Sequence, residues 1–184
     1  MLSAGRGVVE AVRCRVRCAC GKFNELAPII IARGTSLKLK GKFYKACVRS
    51  VMIYGSETWA LRVEDTQKLM RAEASMVRRM CGVSIKKHLS NEELRGRLGI
   101  DCVSAVVRRG RLRWFGHVER KGDEWVRKCM EDIKVEGNAG RGRPRKTWLE
   151  CVKDDMKRMG LRREMAQDRF EWRSAVHGKC LNCV

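Results

Sequence analysis

The sequence predicts an all-α protein, an irregular bundle of about seven helices with a basic Gly/Pro linker. Three observations carry that prediction. Apolar residues recur three and four apart through most of the chain, the period of a helix with one buried face. Start and stop residues punctuate those stretches, among them Pro28, Glu64-Asp65, Gly82, Ser90-Asn91-Glu92-Glu93 and Gly160. Neither β-type alternation nor an internal repeat is visible in any segment.

Each element is justified by its own pattern. From Ser3 to Leu26, Val8, Val12, Val16, Ala19, Phe23 and Leu26 keep helical spacing, and Pro28 ends or bends the helix. A Gly34-Thr35-Ser36 turn leads to a second helix with Tyr44, Cys47, Val48 and Val51 on its apolar face. Lys38, Lys40, Lys42, Lys45 and Arg49 are expected on its polar remainder. Gly55 and Ser56 break the chain before Trp59. A third helix, roughly Val63 to Cys81, opens on Glu64-Asp65, buries Leu69, Met76, Val77 and Met80, and is capped by Gly82. Ser90-Asn91-Glu92-Glu93 reads as a capping box for a short helix ending before Gly99, which gives both glutamates a structural task.

Asp101 is suited to cap the central helix, whose buried face is read as Val103, Val106, Val107 and Trp114. Trp114 and Phe115 are expected in the core, as large rings usually are. Arg108, Arg109, Arg111 and Arg113 crowd the middle of this helix, and phosphate is their expected partner. Guanidinium forks match phosphate oxygens and stack on bases. A shorter helix around Trp125, Cys129 and Ile133 follows. Gly137, Gly140, Gly142 and Pro144 then make residues 136–146 a linker. Trp148, Val152, Met156 and Met159 mark another helix, closed by Gly160, with Asp154 and Asp155 expected to face solvent. The last helix carries Met165, Arg169, Trp172 and Val176. The expected organisation is a helical region over 1–135, the basic linker over 136–146 and a C-terminal helical pair with a cysteine-containing tail over 147–184.

Charge narrows the function. The chain has 41 Lys+Arg against 21 Asp+Glu in 184 residues, a net +20, while 44% of its residues are hydrophobic. That apolar content supports a folded core rather than a basic disordered tail. Such a charge on a compact body calls for a polyanion. Residues 1–60 carry a net +8 and residues 102–146 a net +7. These two blocks are expected to wall a cleft around a nucleic-acid strand. The longest apolar run, residues 26–32, contains Pro28 and is too short to span a bilayer, and no signal-peptide h-region opens the chain. The expected location is nuclear or cytoplasmic, not secreted, with no membrane partner.

Catalytic chemistry is not indicated. His88, His117 and His177 lie far apart in sequence, with none beside a nucleophile, and His117 is expected to pack or cap. No phosphate-cradling glycine loop followed by lysine and Ser/Thr is present. Among ten cysteines, Cys47, Cys81, Cys102, Cys129 and Cys151 each sit singly on or beside an apolar stripe, as small hydrophobes would. Cys14, Cys18 and Cys20 cluster near the start. At the other end His177, Cys180 and Cys183 form H-x2-C-x2-C, three zinc-type ligands without a fourth. Reduced thiols are the expected state, with no metal and no cofactor.

Several longer blocks occur in a fixed order: VRCACGKFNELAPII, SLKLKGKFYKACVRSVMIYGSETWAL, MVRRMCGVSIKKHLSNEELRGRLGI, VVRRGRLRWFGHVERK, GRGRPRKTW and AQDRFEWRSAVHGK. Together they resemble the C-terminal, thumb and downstream part of the endonuclease–reverse transcriptase polyprotein of non-LTR (LINE-type) retrotransposons. The resemblance covers nearly the whole chain. It implies a thumb-like region that grips the template–primer duplex and the element's RNA. The family's Phe/Tyr-x-Asp-Asp catalytic motif belongs upstream and is not in this sequence, and no endonuclease domain is either. An open reading frame starting at an internal methionine of a truncated copy is therefore implied, without catalysis of its own. The implied partners are RNA and/or DNA and the palm of the parent polyprotein. Residues expected at phosphates are Lys38, Lys40, Lys42, Arg108, Arg109, Arg111, Arg113, Arg141, Arg143 and Arg145. Two other readings stand beside this one: a stand-alone DNA-binding protein using Arg141-Gly142-Arg143-Pro144 as an AT-hook, and a transposon relic with no selected function.

Overall fold

The computed structural model describes residues 4–84, 87–121 and 146–178. Among them the secondary structure is helical, as the apolar periodicity requires. α1 spans Ala4–Glu25. The four-residue α2 (Ala27–Ile30) follows, with Pro28 in its first turn, where a missing N–H costs nothing. Ser36 caps α3 (Leu37–Phe43) by accepting from the Leu39 N–H. The chain then winds as a π-helix over Tyr44–Arg49 before the short α4 (Ser50–Met52). α5 spans Val63–Met80, α6 Asn91–Leu98, α7 Val103–Arg120, α8 Trp148–Met159 and α9 Arg169–Gly178. The expected helix around Trp125, Cys129 and Ile133, and the linker's Gly137, Gly140, Gly142 and Pro144, lie outside the described residues.

The helices gather into two compact units that are not consecutive in sequence. One takes Val9–Tyr54 and Val63–Val106; the other takes the described residues up to Val8, Gly55–Arg62 and the described residues from Val107 onward. In the first unit, Val12, Ala19, Phe23, Tyr44, Val48, Leu69, Met76, Val77, Met80, Leu94 and Leu98 are buried. Gly41 brings α3 onto α6 so closely that a Cβ there would overlap the Leu98 carbonyl. α5 ends as the sequence predicts, with Gly82 at φ +63° and the Val83 N–H closing on the Arg78 carbonyl.

In the second unit, Leu112 and Phe115 of α7 pack with Val152 and Met159 of α8 and with Trp172 and Val176 of α9. Thr147 and Glu150 form a reciprocal capping box at the start of α8. The Trp148 indole N–H donates to the Glu57 carbonyl at 2.7 Å, tying the 55–62 segment to this helix. At Ser90 only half of the expected box forms. The Ser90 hydroxyl accepts from the Glu93 N–H at 3.1 Å, while the Glu93 carboxylate pairs with Arg97 at 2.6 Å.

Several expectations about side-chain direction are corrected. Arg49 is buried beside Glu73 rather than displayed. Asp155 is buried rather than solvent-facing, because it sits beside Arg108 and Arg111. Trp114 is 37% exposed, because the buried stripe of α7 runs through Leu112, Phe115 and Val118 instead. His117 is exposed and stacks on Trp114, the ring centroids 5.6 Å apart.

Candidate nucleic-acid interface

The basic residues divide by what already holds them. Lys40, expected at phosphate, is buried within its unit, its methylene stem packed and its Nζ donating to the carbonyls of Met80 (3.2 Å) and Ile31 (3.4 Å). It therefore satisfies a helix C-terminus, where unpaired carbonyls favour a cation. Lys38 and Lys42, four apart on α3, are both exposed and form no hydrogen bond or ion pair among the described residues. Lys45, one turn on, donates to the Gly99 carbonyl at 3.3 Å and stays exposed.

The four central arginines also separate. Arg111 is buried, with an NH1 nitrogen 3.6 Å from Asp155, and Arg108 lies 3.3 Å from the same carboxylate. Burial pushes the Asp155 carboxyl above the usual range, and the two arginines pull it back down. Arg111 is thus a core residue and leaves the phosphate-facing set. Arg109 is half-buried and has a partner of its own. Arg113 is exposed and, among the described residues, unpaired. Arg141, Arg143 and Arg145 lie outside the described residues, as do Cys180 and Cys183 of the zinc-type set, whose His177 is exposed on α9. Among the described residues no group of His, Cys, Asp and Glu could hold a metal ion.

Sequence reasoning missed the polar centre of the first unit. Glu73, 1% exposed, accepts at Oε1 from Arg49 (2.6 Å) and from the Tyr44 hydroxyl (3.3 Å). Its Oε2 accepts from the Val103 N–H at 2.9 Å, so it also caps the first residue of α7. Winding Tyr44–Arg49 as a π-helix brings two residues five apart over one carboxylate. The Tyr44 phenol is pushed far above its ordinary value, by burial first and Glu73 second, which keeps its proton on the donating oxygen. Glu73 sits on the same face as Leu69, Met76 and Met80, and that placement was the available signal.

The described cysteines divide between packing and exposed positions. Cys102 and Cys151 are buried, and burial raises the Cys151 thiol above its usual range. Cys14, Cys18 and Cys20 are exposed on α1 as free thiols. Among the described residues no helix is long and apolar enough to cross a membrane.

Comparison with known proteins gives one bearing. The chain is 22% identical over 160 residues to an uncharacterised transposon-derived protein of Caenorhabditis elegans. That match covers 80% of this chain and 57% of the other protein's length, so the chain spans little more than half of its relative. No family model matches the chain, and no solved structure does. The chain is of transposon-related origin.

Proposed function

We propose that this chain is the non-catalytic, nucleic-acid-gripping C-terminal part of a LINE-type reverse transcriptase, its transposon-related origin being the premise. One observation carries the reading. When the cations engaged inside the fold are set aside, namely Lys40, Arg49, Arg108 and Arg111, an exposed excess remains at Lys38, Lys42 and Arg113 with no carboxylate against it among the described residues. Exposed, unpaired cations on a chain of net +20 favour a polyanion, and the ordered sequence blocks make that polyanion the template, primer or element RNA. Primer extension needs carboxylates that clamp divalent ions, and that set belongs to the palm of the parent polyprotein.

The test is binding of the purified chain to a labelled RNA–DNA hybrid, single-stranded RNA and duplex DNA over a range of salt. Binding without magnesium, weakening steeply with salt, is expected. Failure to bind any of them at low salt would overturn the proposal, as would magnesium-dependent primer extension by this chain alone. The sequence Arg141-Gly142-Arg143-Pro144 favours a second reading, an AT-hook. Its mark would be a preference for A·T-rich over G·C-rich duplex that Arg143→Ala abolishes.

A further inference from the structure

Within the second unit, α7 and α9 border a hollow of about 320 Å³ lined by four arginines, two histidines, Trp172 and Val176. α7 contributes Arg113, His117 and Arg120, which at spacings of four and three form one stripe. α9 contributes Arg169, Arg173 and His177, each four residues from the last. Two packing contacts bring the stripes face to face. Gly116 lets α9 approach so closely that a Cβ there would meet the Trp172 indole. The Trp172 Nε1–H then donates to the Leu112 carbonyl at 3.0 Å, which fixes how α9 lies on α7.

Two nearby carboxylates, Glu119 and Asp168, are engaged elsewhere, and Glu171 of α9 is not among the lining residues. Glu119 forms a two-point pair with Arg163 at 2.9 and 3.0 Å. Asp168 accepts from the N–H groups of Phe170 and Glu171 and so caps α9. No carboxylate lines the cavity among the described residues. Arg120 is anchored by donating to the Ala166 carbonyl at 2.7 Å, whereas Arg113, Arg169 and Arg173 have no hydrogen-bond or ion-pair partner among the described residues. Four guanidiniums in one small hollow repel one another unless an anion enters, and the two imidazoles add ring nitrogens that can donate to it.

We infer that this cavity is a binding site for a phosphate monoester, the terminal phosphate of an oligonucleotide or nucleotide. Each planar fork grips two oxygens of a carboxylate or a phosphate alike, and it is the convergence of four guanidiniums that favours a phosphate, with three free oxygens and close to two charges, over a halide or a single carboxylate. At about 320 Å³ the hollow sits at the small end of ligand sites, roughly 300–1,000 Å³, so it admits a nucleotide-sized group and no duplex. A terminal phosphate projects from its chain and carries close to two charges. An internal phosphodiester carries one and is flanked on both sides, which suits a groove better than a hollow. The inference deepens the nucleic-acid proposal by naming the group recognised, and it rests on that proposal only for the source of the phosphate.

The experiment uses the full chain with three probes: inorganic phosphate, a short 5′-phosphorylated oligonucleotide and its 5′-hydroxyl counterpart. Binding is read by titration calorimetry and by the shift in thermal unfolding. The 5′-phosphorylated strand is expected to bind at least tenfold tighter than the 5′-hydroxyl strand. Arg169→Gln with Arg173→Gln, both on exposed positions, is expected to erase that difference while binding of the hydroxyl strand changes less than twofold. Protection by inorganic phosphate as strong as by the phosphorylated strand would support the same pocket and assign it to free phosphate. Equal affinity of the unmutated chain for both strands, with no protection by inorganic phosphate, overturns the pocket and leaves the wider nucleic-acid proposal standing. Phosphate protection with no oligonucleotide binding overturns that proposal and leaves the pocket. Should the double variant not fold, the probe comparison on the unmutated chain still decides.

Discussion

Both units bury arginine beside a single carboxylate, and they satisfy it differently. In the first, Glu73 meets one guanidinium, and its oxygens also accept from Tyr44 and from the Val103 N–H, while Arg49 reaches the Asp101 carbonyl at 2.6 Å. In the second, Asp155 meets two guanidiniums at 3.3 and 3.6 Å and its Oδ2 has no hydrogen bond, while a buried guanidinium Nε is left unpaired in both units, on Arg49 and on Arg111. A carboxylate with both oxygens satisfied fixes neighbouring elements in register, because each atom removed leaves another buried and unpaired. A network with two cations per anion holds the helices less firmly and leaves positive charge uncompensated. The first unit thus concentrates its polar chemistry on folding, and the second carries the cationic hollow between α7 and α9.

The largest effect should come from breaking the network around Glu73. Glu73→Gln leaves Arg49 buried without its counter-charge, a change that typically costs about 3–5 kcal/mol. Urea denaturation followed by far-ultraviolet circular dichroism should show that loss, with helix content falling in the absence of denaturant if the unit is marginal. A cost under about 1 kcal/mol would mean that Arg49 finds another partner, and the contrast between the units would fail.

A matched pair of glycines sharpens the same contrast. A Cβ at Gly41 meets backbone, the Leu98 carbonyl, which cannot turn aside, whereas a Cβ at Gly116 meets a side chain, the Trp172 indole. Overpacking of this kind costs typically 1–3 kcal/mol. Gly41→Ala should reach about 3 kcal/mol and Gly116→Ala about 1–2 kcal/mol. Thermal unfolding of the two variants side by side checks the order. Gly116→Ala should also widen α7 from α9 and weaken binding of a phosphorylated strand, which Gly41→Ala should not.

Asp155 makes the contrast testable by pH. Its carboxyl titrates above the usual value in the folded chain because burial outweighs Arg111 and Arg108. The folded state therefore takes up this proton more readily than the unfolded state. As pH falls through the folded value, this residue's contribution to stability rises, and it levels off below the unfolded value of about 3.9. Asp155→Asn should change stability by less than about 1 kcal/mol at neutral pH, far less than Glu73→Gln, because burial already disfavours the charge that the substitution removes. Relative to the unmutated chain the variant should be less stable at pH 4 than at neutral pH, since only the unmutated chain gains from the proton. Urea midpoints for both chains at the two pH values measure this, and a cost that shrinks on acidification would reverse the assignment.

Much of the fold was legible in local sequence. Gly82 and Gly160 end their helices with positive φ because the termination signal lies within a few residues of the end it makes. The Thr147–Glu150 box is equally local, though the apolar stripe beginning at Trp148 masks it. The fates of the cations were not legible. Lys40 and Lys42 stand two apart on one helix, yet one reaches carbonyls 9 and 40 residues away and the other faces solvent. That choice depends on where α5 ends in space, which composition and periodicity do not encode. The cationic hollow escaped for a similar reason, since Arg113 and Arg169 are joined only by the approach of Gly116 to Trp172.

The smallest effect on folding should fall on the exposed lysines of α3. Lys38→Gln with Lys42→Gln touches no hydrogen bond or ion pair among the described residues, so stability should change by about 0.5 kcal/mol or less. Binding should nonetheless respond if these side chains meet phosphates. Removing one cation that neutralises a phosphate flattens the dependence of log affinity on log salt by roughly 0.7–0.9, so the pair should flatten it by about 1.5. The effect should be equal for RNA and DNA, because a lysine is a point charge that reads no base. The double variant thereby separates the units by function. If it flattens the salt dependence but keeps the preference for a 5′-phosphate, the first unit holds backbone while the second holds the strand end. A salt dependence identical to that of the unmutated chain would take α3 out of the interface and leave Arg113 and the hollow to account for binding.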